Sequence, residues 1–177
     1  MEKETLAKKI ADTAVLHGDF TLRSGRKSTW YIDKYLFTTQ PDILRVLGEM
    51  FANNISSSTT LLAGAELGGI PLVTTAALAS GLPCIFIRNQ KKEYGTSRQL
   101  EGKLSGDDNV VIVEDIATTG GQVLEAAEII KESGATVEAI IAVIDRCEGA
   151  RENIESAGYQ FVSLFTTQDL GIVEATA

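Results

Sequence analysis

Residues 110 to 122 read VVIVEDIATTGGQ, and they are the most informative part of the sequence. The four apolar residues from Val110 to Val113 form the kind of short run that a fully buried strand needs. Two carboxylates, Glu114 and Asp115, follow at once, and a turn rich in threonine and glycine then opens a helix. The pattern predicts a parallel strand whose carboxyl end carries two acids, which is where ligands bind in open α/β sheets.

The turn after the acids has the composition of an anion-binding site. Backbone N–H groups at the start of a helix are unpaired, and with the helix dipole they attract a phosphate. The hydroxyls of Thr118 and Thr119 add donors, Gly120 and Gly121 allow close approach of the backbone, and two adjacent acids suit sugar hydroxyls. The alternative is a plain helix cap preceded by solvated strand-end acids. Neither a dinucleotide-binding fingerprint nor a Walker A loop is present, because both glycine patterns are absent from the sequence.

Short apolar runs alternate with helical stretches through the rest of the chain. This alternation predicts an α/β fold, a mainly parallel sheet flanked by helices on both faces. The predicted strands cover residues 61–65, 84–88, 110–114, 137–144 and 161–165, and the predicted helices cover residues 70–80, 121–133 and 149–157. The polar interval at 89–109 has no apolar periodicity, and an interval of that length is usually functional or mobile.

The N-terminal part of the chain has a different pattern. Apolar residues at helical spacing predict an amphipathic helix over residues 2–17 that Gly18 ends. Residues 20–37 predict short strands around a turn, and Pro41 suits the first turn of a further helix at 43–50. We expect one domain over residues 1–177, with a small N-terminal hood (about 1–54) and a core (about 55–177). His17 and Trp30 are expected to be structural.

Composition restricts the partners and the compartment. The chain has 16 Lys and Arg against 24 Asp and Glu, a formal charge of −8 and a pI near 4.7, which disfavour binding to nucleic acid or anionic membranes. Cys84 and Cys147 lack metal-ligand spacing, so neither a disulfide framework nor a zinc site is expected. No apolar run reaches transmembrane length. We therefore expect a cytoplasmic protein that acts on small molecules.

The stretch at 110–122 resembles the phosphoribosyl diphosphate (PRPP) binding motif of type I phosphoribosyltransferases. Residues 20–28, 88–96 and 144–153 resemble segments of the orotate phosphoribosyltransferase family within that group. These landmarks occur in the family's order and extend over nearly the whole chain. The resemblance implies transfer of the ribose 5-phosphate group of PRPP to orotate, giving orotidine 5′-monophosphate and diphosphate in pyrimidine biosynthesis.

The resemblance also implies a role for each matching residue. Glu114 and Asp115 would hold the ribose hydroxyls, and Arg88 and Lys92 would meet the diphosphate from a mobile loop; Lys92, Arg88 and Asp115 are the implied catalytic residues. Mg²⁺ would be held mainly by the diphosphate and water, and a homodimer would share its loops across the interface. The implied PRPP-binding residues are Arg88, Lys92, Tyr94, Glu114, Asp115, Ile116, Ala117, Thr118, Thr119, Gly120, Gly121 and Gln122, and the implied orotate-binding residues are Thr118, Arg146, Arg23 and Tyr31.

Several alternatives stay open beside this resemblance. Asn89 stands where many relatives have Lys, and residues 66–69 replace a stretch that in some relatives offers a Lys to the diphosphate. A purine-specific phosphoribosyltransferase would share residues 114–122 without needing Arg23 and Arg146. A regulatory protein that senses a nucleotide is the non-enzyme alternative, and the acidic charge disfavours it. Arg146 could also be a surface residue that pairs with its neighbour Asp145.

Overall fold

The computed structural model describes residues 1–21, 25, 27–89 and 99–172. Within these ranges the chain forms a two-stranded hairpin, a six-stranded sheet and six helices, none of them long and apolar enough to span a bilayer. The elements in chain order are α1 (Lys3–Ala14), β1 (Val15–Thr21), β2 (Lys27–Ile32), α2 (Lys34–Thr38), α3 (Pro41–Asn53), β3 (Leu61–Ala65), α4 (Gly69–Ser80), β4 (Cys84–Ile87), β5 (Leu100–Glu101), β6 (Asn109–Ala117), α5 (Gly121–Glu132), β7 (Thr136–Asp145), α6 (Ala150–Ser156) and β8 (Gln160–Thr166).

The large sheet has the strand order β5-β4-β3-β6-β7-β8. Every neighbouring pair is parallel except β4 and β5. Because β6 lies between two other strands and under helices on both faces, its apolar run is continuous instead of alternating with polar residues. The predicted α/β fold with a mainly parallel sheet is confirmed, and all the strands and helices predicted after residue 60 are present.

Alternate residues of β6 divide between the two faces of the sheet. Val111 and Val113 belong to an apolar core that includes residues of α1, α3 and α4. Val110 and Ile112 belong to a second core that includes residues of α5 and α6. All four side chains are essentially buried, and each contributes about 1.5–3 kcal/mol by leaving water. The helices before residue 54 belong to the hood, and their apolar side chains therefore pack in the same hydrophobic cluster as side chains of the sheet.

The N-terminal helix is shorter than the sequence predicts. α1 ends at Ala14, and Val15 begins β1, in which His17 pairs with Trp30 and Gly18 lies inside the strand. A helix reaching residue 17 and a helix end at Gly18 are therefore wrong predictions. The antiparallel pairing of β-branched Val15 with Ile32 outweighs the helical spacing of the apolar residues.

The predicted strand region at 20–37 is only partly correct. β1 and β2 form the expected hairpin, but the chain then turns into α2, where the Asp33 carboxylate accepts a 3.1 Å hydrogen bond from the Tyr35 backbone N–H and caps the helix. α3 begins at Pro41, as predicted. The polar interval at 89–109 includes β5, which pairs antiparallel with β4, and its residues 90–98 lie outside the described residues.

Candidate active site

A cavity of about 460 Å³ opens at the carboxyl ends of β6 and β7. Two adjacent parallel strands end there, which is the usual ligand position in this kind of sheet. The hood closes one side of the cavity through Tyr31. The residues that line the cavity are Tyr31, Glu114, Ile116, Ala117, Thr118, Thr119, Gly120, Gly121, Gln122, Val123, Arg146 and Glu148. Most of the residues that the resemblance implies are thus brought together in one place.

The turn from β6 into α5 presents the start of a helix to the cavity. α5 begins after Gly120, whose backbone is left-handed (φ 80°), and none of the described side chains caps its first turn. A Cβ at Gly120 would lie 3.0 Å from Ile154 Cγ1, so glycine suits both the conformation and the space. Asn153 Nδ2 donates a 2.8 Å hydrogen bond to the Thr119 carbonyl and fixes the turn from α6. The helix start therefore offers N–H donors and the positive end of its dipole to an anion.

The two acids at the end of β6 are buried. Glu114 is 8 % exposed, and its Oε2 atom has no hydrogen-bond partner among the described residues. Burial and the neighbouring Asp115 carboxylate raise the pKa of Glu114 to about 8. The alternative of solvated strand-end acids is therefore wrong. A buried polar atom without a partner is costly, and a ligand hydroxyl would supply the missing donor.

The Asp115 carboxylate has a separate contact on each oxygen. Oδ1 accepts a 2.6 Å hydrogen bond from the Ile116 backbone N–H, and Oδ2 lies 2.8 Å from Lys34 Nζ. Lys34 is the first residue of α2, so this ion pair connects the hood to the core. Burial lowers the pKa of Lys34, but the attraction of Asp115 outweighs it, and the pKa lies above its ordinary value. Sequence analysis missed Lys34, because no local pattern indicates a partner so far along the chain.

Arg146 lies over the indole ring of Trp30, with its guanidinium carbon 4.6 Å from the ring centroid. Nη2 lies 2.9 Å from Glu148 Oε1, but this ion pair is not aligned as a hydrogen bond, and Nε and Nη2 have no acceptor among the described residues. The alternative that Arg146 pairs with Asp145 at the surface is wrong. Asp145 is buried and accepts a 2.8 Å hydrogen bond from the Cys147 backbone N–H. The guanidinium, in a side chain only 10 % exposed, therefore has two buried nitrogens that can still donate hydrogen bonds.

Known proteins are similar to this chain in sequence and in fold. Residues 37–165 match the family model of the phosphoribosyl transferase domain. The orotate phosphoribosyltransferase of Haloquadratum walsbyi is 45 % identical over 157 residues, which cover 89 % of this chain and 85 % of that protein. The chain belongs to the orotate phosphoribosyltransferase family.

Solved structures of the Mycobacterium tuberculosis orotate phosphoribosyltransferase have the same fold. Its complex with Fe(III) dicitrate matches with a TM-score of 0.87 at 29 % identity, over 96 % of this chain and 99 % of that chain. Its complex with PRPP matches with a TM-score of 0.81 at 28 % identity, over the same shares of the two chains. The chain is therefore a pentosyltransferase with the type I phosphoribosyltransferase fold, as the sequence predicts.

The remaining predicted site residues either do not line the cavity or lie outside the described residues. Arg88 follows β4, where its Nη1 lies 3.7 Å from Glu101 Oε1 and its buried Nε has no acceptor within the described part of the chain. Asn89 is close to the start of α5, since its Oδ1 accepts a 3.3 Å hydrogen bond from Gln122 Nε2. The residues outside the described ranges are Arg23, Lys92 and Tyr94.

The acids beside the cavity do not form a metal cage. Within the described ranges, no group of three or more His, Cys, Asp or Glu side chains is arranged to hold a metal ion. Glu114 lines the cavity, and Asp115 behind it is already paired with Lys34. This donor set fits a hard cation that takes most of its ligands from substrate oxygens and water.

Proposed function

We propose that this enzyme makes orotidine 5′-monophosphate and diphosphate from orotate and PRPP in the cavity at the ends of β6 and β7. The observation that carries the proposal is the meeting of three features at one cavity: a buried acid pair of which Glu114 lines the cavity, a helix start, and the Arg146 guanidinium. Among the described residues, no side chain caps the helix start, and Nε and Nη2 of Arg146 have no aligned acceptor. The three features match, in that order, the ribose hydroxyls, the 5′-phosphate and the carboxylate of orotate.

PRPP would bind with its 5′-phosphate at the start of α5 and its ribose over the acids. The phosphate would accept hydrogen bonds from backbone N–H groups of the turn and from the hydroxyls of Thr118 and Thr119. The ribose hydroxyls would donate to Glu114 and Asp115, which gives Glu114 Oε2 the donor that it lacks. Because such donors stabilise the ionised form, PRPP binding would lower the pKa of Glu114.

Orotate would lie beside Arg146 and Tyr31, with Arg23 expected near its carboxylate from the family resemblance. The Nε and Nη2 atoms of Arg146 can donate two hydrogen bonds to one carboxylate. Uracil lacks this group and would leave the buried donors unpaired. A site with unpaired donors rejects such a ligand strongly, so we expect selection for orotate over uracil.

The reaction would be a substitution at C1′ of PRPP. N1 of orotate supplies the electron pair of the new bond and gives up its proton to the departing diphosphate or to water, and the C1′–O bond breaks with its electron pair leaving on diphosphate. C1′ becomes oxocarbenium-like in between, so Arg88 and Lys92 would act by stabilising the charge on the departing diphosphate. Mg²⁺, held mainly by substrate oxygens and water, would neutralise part of that charge when bound.

The assembly proposed is a homodimer whose loops at 88–96 each close over the other subunit's phosphate site. The family resemblance supports it. Mixing inactive Lys92→Ala with inactive Asp115→Asn would then restore activity, because one site of the heterodimer carries both lesions and the other neither. If each loop served its own chain, every site would keep one lesion and the mixture would stay inactive.

The compartment proposed is the cytoplasm. Cys84 and Cys147 form no disulfide, which suits a reducing environment. Fractionation of the native cells, with immunodetection of the chain, tests this placement. We expect the chain in the cytoplasmic fraction.

A panel of bases tests the activity. The purified protein, with PRPP and Mg²⁺, is given orotate, uracil, adenine, guanine or hypoxanthine, and diphosphate release is measured. We expect release with orotate alone. Equal turnover of uracil would contradict the assigned carboxylate contact, and turnover of a purine would favour the purine-specific alternative. PRPP binding without turnover of any base would favour a nucleotide-sensing protein.

A further inference from the structure

The ion pair between Lys34 and Asp115 brings a hood residue to the proposed ribose site, although Lys34 does not line the cavity. The side chain of Lys34 is 31 % exposed and that of Asp115 only 3 %. Breaking such a pair is costly, because the buried partner is left as an uncompensated charge. Lys34 takes no part in the proposed substitution at C1′, so any effect of this contact on the reaction passes through Asp115.

Close packing fixes the pair in one place. A Cβ at Gly68 would lie 1.7 Å from Asp115 Oδ2 and 3.2 Å from Lys34 Cε. Since glycine has no Cβ, the carboxylate and the lysine stem can lie directly against the turn between β3 and α4. β3 and β6 are parallel neighbours, so this turn lies beside the end of β6 that carries the acids.

Two donors determine the orientation of the Asp115 carboxylate. The Ile116 backbone N–H holds Oδ1 at 2.6 Å, and Lys34 Nζ, which also lies 5.6 Å from the Tyr35 ring centroid, holds Oδ2 at 2.8 Å. Each carboxylate oxygen can accept a further hydrogen bond, so both contacts are compatible with a ribose hydroxyl. Without Lys34 one restraint is lost, and the buried Asp115 carboxylate has no other cation paired with it among the described residues.

We propose that Lys34 is a positioning residue for PRPP, which holds the Asp115 carboxylate in the orientation that accepts a ribose hydroxyl. The inference rests on the proposed function, in which Asp115 binds the ribose. It makes PRPP affinity depend on a side chain of the hood that touches the ligand only through its partner. Orotate affinity does not depend on Lys34, because Arg146 is held separately by Trp30 and Glu148.

A double-mutant cycle tests this role. PRPP and orotate are titrated calorimetrically, each alone, into the wild-type protein, Lys34→Met, Asp115→Asn and the double variant. We expect Lys34→Met to weaken PRPP binding about tenfold and to leave orotate binding within about twofold of wild type, in the range of couplings between contacting residues. In the Asp115→Asn background, Lys34→Met should have little further effect, because its partner is already neutral.

Two further variants keep the test decisive. Lys34→Gln is a second neutral variant in case Lys34→Met does not fold, as judged by thermal unfolding. Lys9→Met is the matched control: it removes another ion pair of the hood, with Asp42, between α1 and α3. We expect Lys9→Met to bind both ligands as wild type does.

Three results would overturn the inference: wild-type PRPP affinity in the neutral Lys34 variants, equal loss of PRPP and orotate binding, or full additivity with Asp115→Asn. If the wild-type protein binds PRPP and turns over orotate while any of these three results is found, only the proposed role of Lys34 is contradicted. A wild-type protein that does not release diphosphate with orotate would instead contradict the proposed function.

Discussion

The core and the hood both contribute residues to the cavity, but these residues have different roles. In the core, one continuous stretch at 114–122 carries the acids, the turn and the helix start that would meet PRPP. In the hood, Tyr31 lines the cavity, but Trp30 and Lys34 act on core residues, the first under Arg146 and the second on Asp115. The core thus contains most groups that would bind ligands, and the hood fixes the orientation of two of them.

The largest effect expected is on a core residue that the hood orients. Arg146→Ala should lower kcat/KM for orotate by about a hundredfold or more, because a preorganised charged donor is lost, while PRPP affinity stays unchanged. Steady-state kinetics with each substrate varied measures this. Arg151→Ala is the matched control, since Arg151 also lies over a ring, that of Phe161, and pairs with Glu155, but at an exposed position on α6. Equal losses in both variants would show that Arg146 has only a structural role.

The next effect is the release of a proton from Glu114 when PRPP binds. Glu114, with a pKa of about 8, holds a proton at neutral pH, and ribose hydroxyls that donate to it would favour its ionised form. PRPP binding at pH 7 should therefore release a proton, and PRPP affinity should rise with pH by up to about tenfold per unit until pH 8. Calorimetry in two buffers of different ionisation enthalpy measures the release. Proton release that persists in Glu114→Gln would assign the proton to another group.

The same pKa predicts a dependence of stability on pH. The pKa of Glu114 in the folded protein, about 8, lies above the ordinary value of 4.5, so between these values the folded state binds a proton that the unfolded chain has released. This contribution to the free energy of unfolding is complete below about pH 4.5 and is lost as pH rises through 8. Glu114→Gln should remove this part of the slope in denaturant unfolding measured across the range. An unchanged slope would contradict the assignment.

A smaller effect is expected in the hood. Trp30→Leu keeps an apolar side chain under Arg146 but removes the ring face, so we expect KM for orotate to rise about threefold to tenfold, in line with a partly buried cation–π contact. Trp30→Phe keeps a ring and should lie between wild type and Trp30→Leu. If the three proteins have the same KM for orotate, the ring of Trp30 does not contribute to orotate binding.

Local patterns predict the core of the site, and the family resemblance adds Tyr31 of the hood, but sequence analysis misses the hood's contacts with Asp115 and Arg146. The strand, the acids and the turn at 110–122 follow one another in sequence, so their periodicity and composition suffice to place them. The end of α1 at Ala14 depends on pairing with β2, which no window around residue 15 contains. The contacts of Lys34 with Asp115 and of Trp30 with Arg146 are tertiary, and they exist only once the hood packs on the sheet.

The binding of both substrates to two variants, Asp115→Asn and Arg146→Ala, tests most directly whether one cavity binds PRPP and orotate through separate groups. Calorimetric titration should show Asp115→Asn losing PRPP affinity with orotate binding kept, and Arg146→Ala losing orotate affinity with PRPP binding kept. Equal loss of both ligands in either variant, or unchanged affinities in both, would contradict the account.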